Sequence, residues 1–567
     1  MWDELPKDVT DALEWEWSNY EPYFNDLKAR DINEANVGGW LADWSTVARV
    51  GGEVISRLSV ATTVDTNDKA AEARYNAFME KVYPQLASAS NALNEKLVRS
   101  ELEPEGFDIP LRNLRTDLRI FREVNLPLQT EESKLGLDYS KIIGAQTVEW
   151  EGKEVTLVQL GPVQHDPNRE KREKAWKLAM ERRLQDRDAL NSLWNKFLDL
   201  RVDQSKNAGL ASYTEYRYQQ LHRFDYGPEQ AEMFQKAIEQ VVVPAAQRIY
   251  ERKRKELGLD RLRPWDVEVD TQSREPLKPF DEINELNERT QAVFDQVDET
   301  LGGYFKAMRA EDLLDLDNRK GKAPGGYCTY YPVIKRPFIF MNSVGLHDDV
   351  QTLLHEGGHA FHAFEASNLP YFHQEDVPIE FCEVASMGME LLAAPYLTKG
   401  EGGFYDPKDA ARARIEHLEG IITFWPYMAV VDAFQHWVYE NVEDAHDPAK
   451  CDAKWAELWD RFMKGIDYSG LEEIKSTGWH RKLHIYQVPF YYIEYGLALL
   501  GAVQLFGNAR EDQAKAVEAY RKALALGGTV SLPELFETAG VRFAFDADTL
   551  GKAVALVEKT IEELSAV

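Results

Sequence analysis

Two histidines four residues apart with a glutamate between them, His355-Glu356-Gly357-Gly358-His359, are the residues of this 567-residue chain best suited to do chemistry. On a helix, residues four apart lie one turn apart on the same face, so both rings can reach one metal ion. Glu356, beside the first ring, then reaches a water bound to that ion and serves as general base. The two intervening glycines each lower helix propensity by up to ~1 kcal/mol, which makes sense if another element approaches closely there. The pattern alone also fits a solvated helix face with two incidental histidines. A third ligand discriminates, because a catalytic zinc keeps three protein ligands and one open position for water.

Downstream, residues 378–390 read as a second helix carrying three carboxylates, Glu380, Glu383 and Glu390. Glu383 and Glu390 are seven apart and share a face, and Glu380 lies one turn earlier. A thermolysin-like spacing favours Glu380, and the residues themselves leave the choice among the three open. Cys382 reads as a buried thiol packed beside the site.

The elements that must position these groups are mostly long amphipathic helices. Asp348 and Asp349 can cap a helix running through Val350, Leu353 and Leu354 toward Phe361. After Asp166-Pro167-Asn168, with Asp166 as cap, Trp176, Met180, Leu184, Leu190, Leu193, Trp194 and Phe197 recur at helical spacing and form a core stripe. Strand signals are few. Residues 147–160 alternate around Glu151-Gly152-Lys153 as a hairpin, and Pro337-Phe338-Ile339-Phe340-Met341-Asn342 is a second candidate strand, following the Gly321–Gly326 loop. The expected architecture is therefore mainly α, with a small β-sheet just before the HEGGH helix. A soft boundary near 165 divides an N-terminal helical lobe with a terminal β-hairpin (1–165) from a catalytic domain (166–567).

The net charge is −30, from 66 basic and 96 acidic residues, which repels phosphate backbones and anionic lipids and argues against nucleic-acid or membrane binding. No run of about 18 apolar residues exists to span a bilayer. The acidic start MWDELPKDVTDALEWEW lacks the basic and apolar regions of a signal peptide, and three scattered cysteines (Cys328, Cys382, Cys451) make no disulfide framework. A cytoplasmic protein is expected. The sequence leaves the oligomeric state open, a homodimer included.

Several stretches resemble the thimet oligopeptidase and oligoendopeptidase F family of zinc peptidases, closest to its bacterial oligoendopeptidase F and Pz-peptidase branch. They are Asp166-Pro167-Asn168-Arg169, residues 222–226 (HRFDY), 325–329 (GGYCT), 337–342, HEGGHAFH, Glu383-Val384-Ala385-Ser386, 434–437 (FQHW) and 484–492 (HIYQVPFYY). They cover roughly the last two-thirds of the chain. The resemblance implies a two-lobed helical zincin-type peptidase with a deep channel that admits oligopeptides and excludes folded proteins. It makes His355, His359 and Glu383 the ligands of one zinc ion, because in this family the ligand opens an E-[VA]-x-S helix, and it makes Glu356 the base. Glu390 and His362 then become candidates to orient the ligand rings.

The resemblance also places a late histidine and tyrosines opposite the scissile carbonyl, here His484, Tyr492 and Tyr495, with Tyr491 adjacent. The match departs from the thimet pattern: the His-to-Tyr spacing is one residue shorter, and the first tyrosine falls on Val488 or Pro489. Tyr492 and Tyr495 therefore both stand as oxyanion donors. Strand 337–342, with Phe338, is expected to align the substrate by adding it to a sheet edge, and the Gly325-Gly326-Tyr327 loop to close over it. The reading is a zinc metalloendopeptidase of short peptides. The rivals are a zinc carboxypeptidase or dipeptidyl carboxypeptidase, for which no sequence feature singles out a carboxylate-holding cation, and a catalytically silent peptide-binding protein. Cobalt or manganese also suits such ligands.

Overall fold

Helical periodicity over most of the chain produces a mainly α protein with two small sheets; the computed structural model describes residues 2–567. Buried apolar side chains gather into three clusters. The largest takes in residues from Ile120 to Leu564, the second those from Leu5 to Leu114, including Trp40 and Trp44. The third joins Val148 and Leu160 of the hairpin region to Ala175 and Ala179. Among the described residues, no helix is long and apolar enough to cross a membrane.

The hairpin forms where alternation predicts it. Strands β1 (Thr147–Trp150) and β2 (Lys153–Thr156) pair antiparallel through Glu151 and Gly152, both at positive φ, as a tight two-residue turn requires. The helix that follows, Arg169–Leu184, is capped by Asn168 and not by Asp166. Pro167 lies ahead of the first turn, so it is the Asn168 side chain that reaches the Lys171 N–H at 3.2 Å. Asp166 instead accepts from the Asn168 N–H at 2.8 Å.

The second sheet contains β3 (Leu314–Asp317), β4 (Tyr327–Tyr331) and β5 (Arg336–Ser343) in the order β3-β5-β4. This corrects the role expected of 337–342. β5 is the central strand, parallel to β3 on one side and antiparallel to β4 on the other, so it has no open edge to offer a substrate. Phe338 is buried within it, paired with Thr329. The edge strands are β3 and β4, and of these β4 carries Tyr327 and Cys328.

The helix Val37–Val64 fastens the N-terminal cluster to this sheet. Its buried Glu53 accepts from the Val333 and Ile334 N–H groups at 2.7 and 3.2 Å in the β4–β5 turn. Its Thr63 hydroxyl bonds the Tyr327 hydroxyl at 2.5 Å, and the Thr63 carbonyl accepts from the Ala323 N–H at 2.8 Å. The Gly325-Gly326-Tyr327 segment is held from the other side too. Asn342 Nδ2 donates to the carbonyls of Ala323 and Gly325 at 2.7 and 2.9 Å, and Tyr327 stacks on Phe340. What reads as a free loop is the braced entry to β4.

Candidate active site

β5 ends at Ser343, Gly345 turns the chain at φ +92°, and the motif helix His347–Ala366 begins. Of the two aspartates expected to cap it, Asp349 does so: one carboxylate oxygen accepts from the N–H groups of Val344, Gly345 and Leu346, each at 2.8 Å. A carboxylate there suits the positive end of the helix dipole. The helix Ile379–Ala393 packs across the motif helix, and glycine is what lets it. A Cβ on Gly358 would lie 2.4 Å from the Ala385 carbonyl oxygen and 2.6 Å from Ser386 Cα, while one on Gly357 would strike the Phe294 ring at 2.6 Å.

That close crossing brings His355, His359 and Glu383 together, one ligand atom of each lying within 4.8 Å of the others. Glu383 Oε2 is 3.5 Å from His355 Nε2 and 3.9 Å from His359 Nε2. Four ligands at zinc distances stand about 3.3 Å apart around a tetrahedron, so the three atoms fit a zinc ion with little adjustment. Ser386 Oγ donates to Glu383 Oε2 at 2.9 Å and fixes the carboxylate's rotamer. Glu380 does not join the group. Its carboxylate accepts from the Tyr226 hydroxyl at 2.7 Å, with Arg223 Nε at 3.8 Å.

Glu390 holds His355 from behind. One of its oxygens meets His355 Nδ1 at 2.6 Å and the other meets His417 Nε2 at 2.9 Å, which leaves His355 Nε2 facing Glu383. Burial alone would raise the Glu390 carboxyl and lower the His355 ring; the contact between them reverses both, to about 2 and about 9. Sequence spacing made Glu390 a candidate, whereas His417, on the helix Pro407–Glu440, carries no sequence signal. His362, the other candidate, is buried against Phe381 with its Nε2 unpaired, so that nitrogen bonds neither ligand ring.

Glu356 is buried beside the group. Burial lifts its carboxyl to about 7, against the pull of the His355 ring; the Glu383 charge adds to the lift. Burial drives His359 the other way, to about 3, with the neighbouring His355 adding to the fall. A cation among the three ligand atoms favours the deprotonated form of every one.

The tyrosines divide differently from their expected roles. Tyr491 precedes the helix Tyr492–Glu511 in helical conformation (φ −71°, ψ −30°), so it lies one turn from Tyr495 on the same face. Their rings meet edge to face with centroids 5.3 Å apart, and burial raises both phenols with Glu383 adding to the rise. Tyr492 points elsewhere: its hydroxyl accepts from Lys482 Nζ at 2.7 Å, and its ring packs on Phe424 and Tyr427. The His484 ring sits 4.9 Å from Tyr492, 5.9 Å from Tyr491 and 6.0 Å from Tyr495, with Nδ1 buried and unpaired.

One further device escaped the sequence. Phe490 is fully buried at φ +64°, a conformation costly for a bulky residue. Gln435 accepts its N–H at 2.8 Å, and Arg223 Nη2 bonds its carbonyl at 2.8 Å and Glu494 at 2.5 Å. The buried Arg223 thus joins the strained residue before Tyr491 to the first turn of the tyrosine helix.

The profile of peptidase family M3 matches residues 163–554. The oligoendopeptidase F homolog of Borreliella burgdorferi is 24% identical over 334 residues, which are 57% of this chain and 54% of that protein. The chain thus spans about half the length of the curated relatives it matches. A solved structure of a candidate oligoendopeptidase F has a TM-score of 0.86 at 27% identity, covering 100% of both chains. A structure of Pz peptidase A with an inhibitor has a TM-score of 0.85 at 26% identity, covering 100% of this chain and 99% of that one. The chain belongs to peptidase family M3.

Proposed function

We propose that this chain is a zinc metalloendopeptidase that hydrolyses internal bonds of short oligopeptides, one zinc ion being held by His355, His359 and Glu383. The observation that carries the reading is the convergence of these three ligand atoms within 4.8 Å, with Glu356 buried alongside. When bound, zinc acidifies a water and polarises the scissile carbonyl. Glu356, buried beside the ligand group, takes the water's proton and delivers it to the leaving amine. The Tyr491–Tyr495 pair, facing Glu383, donates to the oxyanion, and the unpaired His484 lies in reach of the same region. The open edge of β4 aligns the peptide backbone, with Gly325, Gly326 and Tyr327 framing its start.

The three cysteines are free, which suits a reducing cytoplasm. The division of the chain near residue 165 stays a proposal, supported if limited proteolysis there leaves two folded pieces. Mass spectrometry of products from a mixed peptide library, with and without chelator, tests the main reading. Internal cuts in short peptides, abolished by chelation and restored by zinc, are expected. An uncut library, or cleavage indifferent to chelator, overturns it.

A further inference from the structure

A partly open cavity of ≈ 70 Å³ is walled by Trp176, Met180, Tyr468, Arg183 and Arg481, and none of His355, His359 and Glu383 lines it. Its cations are unusual for a chain of net charge −30. Basic side chains nearby find acids: Arg182 pairs with Asp186 at 2.7 Å, and Lys475, also on the cavity wall, pairs with Asp460 at 2.7 Å. Arg183, Arg481 and Lys482 do not. Among the described residues, no carboxylate oxygen lies within 4.0 Å of their charged nitrogens, and Arg183 Nε is buried with no partner at all. Tyrosines surround them instead. The Arg481 guanidinium stands 6.0 Å from the Tyr427 ring centre, and Lys482 Nζ stands 5.1 Å from Tyr427 and 4.0 Å from Tyr492. Arg481 is exposed to solvent, whereas Arg183 and Lys482 are half-buried.

Rings and phenol hydroxyls offset only part of the cost of half-burying Arg183 and Lys482 beside a third like charge. Burial lowers Arg183 to about 10 and Lys482 to about 8, and for both the like charge of Arg481 pushes in the same direction. An arrangement of this kind is relieved by an anion. The site also connects to the reaction centre by contact: Lys482 bonds the Tyr492 hydroxyl, and the Tyr492 and Tyr495 rings lie 5.7 Å apart.

We propose that Arg481, with Lys482 and Arg183, forms a carboxylate-recognising subsite of the substrate channel, taking a carboxylate of the oligopeptide. That carboxylate is either the C-terminal one or an acidic side chain; a guanidinium fork binds both in the same bidentate way. The inference rests on the peptidase reading above, because a peptide is the anion's carrier.

The test compares kcat/KM for two matched pairs of quenched peptides, one pair differing as C-terminal acid and amide, the other as Glu and Gln at single positions. The parent is expected to prefer the carboxylate member of one pair by ~10- to 100-fold, the range of a charge-assisted hydrogen bond, and the pair that shows it identifies the source. In R481Q and, separately, in R183Q, that ratio falls toward one. A parent without preference in either pair overturns the proposal, as do variants whose rates fall equally on both members. Fluorescence anisotropy of the same peptides on E356Q reads the preference without turnover. A chain that cleaves nothing therefore sinks the peptidase reading while the carboxylate preference is still measured.

Discussion

Replacing Gly358 by alanine tests how the two ligand-bearing helices are held. The added Cβ would lie 2.4 Å from the Ala385 carbonyl oxygen and 2.6 Å from Ser386 Cα, both backbone atoms that no rotamer change can move. Ordinary contact needs at least about 3.4 Å, so the helices must separate by roughly 1 Å. Alanine returns about 1 kcal/mol of helix propensity, and overpacking costs about 1–3 kcal/mol, so the net stability loss is only ~0–2 kcal/mol. Metal binding suffers more. Glu383 rides on the displaced helix three residues before Ser386, and its 3.5 and 3.9 Å spacings to the histidine nitrogens open with it, against a tolerance of about 0.2 Å in ligand distance. Zinc affinity, measured by chelator competition, is expected to fall at least ~10-fold while circular dichroism stays helical. Gly357→Ala is the control, since its Cβ meets only the buried Phe294 ring and no ligand-bearing backbone. If G358A binds zinc like the parent, or G357A loses as much, the close crossing does not set the ligand geometry.

Glu390→Gln removes the carboxylate that holds His355 Nδ1 and should lower zinc affinity about 10–100-fold by the same competition assay. Arg223→Gln leaves Glu494 and Glu380 buried without their cation; denaturant titration should show a loss of about 3–5 kcal/mol, and a loss below 1 would contradict the role given to this ion group. His373 packs between Trp44 and Phe107 with both ring nitrogens unpaired, and burial lowers it to about 3. Its unfolded form titrates near 6.5, so the unfolded state binds the extra proton between these values and stability falls as pH drops below about 6.5. His373→Phe should make that acid loss shallower, by ~1–2 kcal/mol at pH 5, in denaturation series run from pH 8 to 5.

The convergence of His355, His359 and Glu383 was legible because its signals are local, although the resemblance was needed to choose Glu383. The spacing of His355 and His359 is a property of one helix, and the Glu383-Val384-Ala385-Ser386 run sits on the next. The glycines announced a close neighbour without naming it. What could not be read depends on chain segments far apart. Whether 337–342 is an edge or a centre is decided by β3 and β4, two short strands with no clean alternation. Which tyrosines face Glu383 depends on where the helix begins, and Tyr491 turns out to extend its turn backward. The His417–Glu390 contact joins two helices, and Arg223 reaches Glu494 across 271 positions; neither pair has a period or spacing to betray it. The stripe through Trp176 and Met180 was read as core, yet both residues wall the Arg183–Arg481 cavity.

In the proposed mechanism three ligand residues hold a metal while Glu356 handles the proton. Metal content and cleavage of a quenched oligopeptide, measured together on Glu356→Gln, test it most directly. The account predicts about one zinc per chain, as in the parent, with kcat lowered at least ~100-fold. A variant that keeps its zinc and still cleaves at the parent's rate would contradict the assignment of the base. A parent that binds no zinc would contradict the site itself.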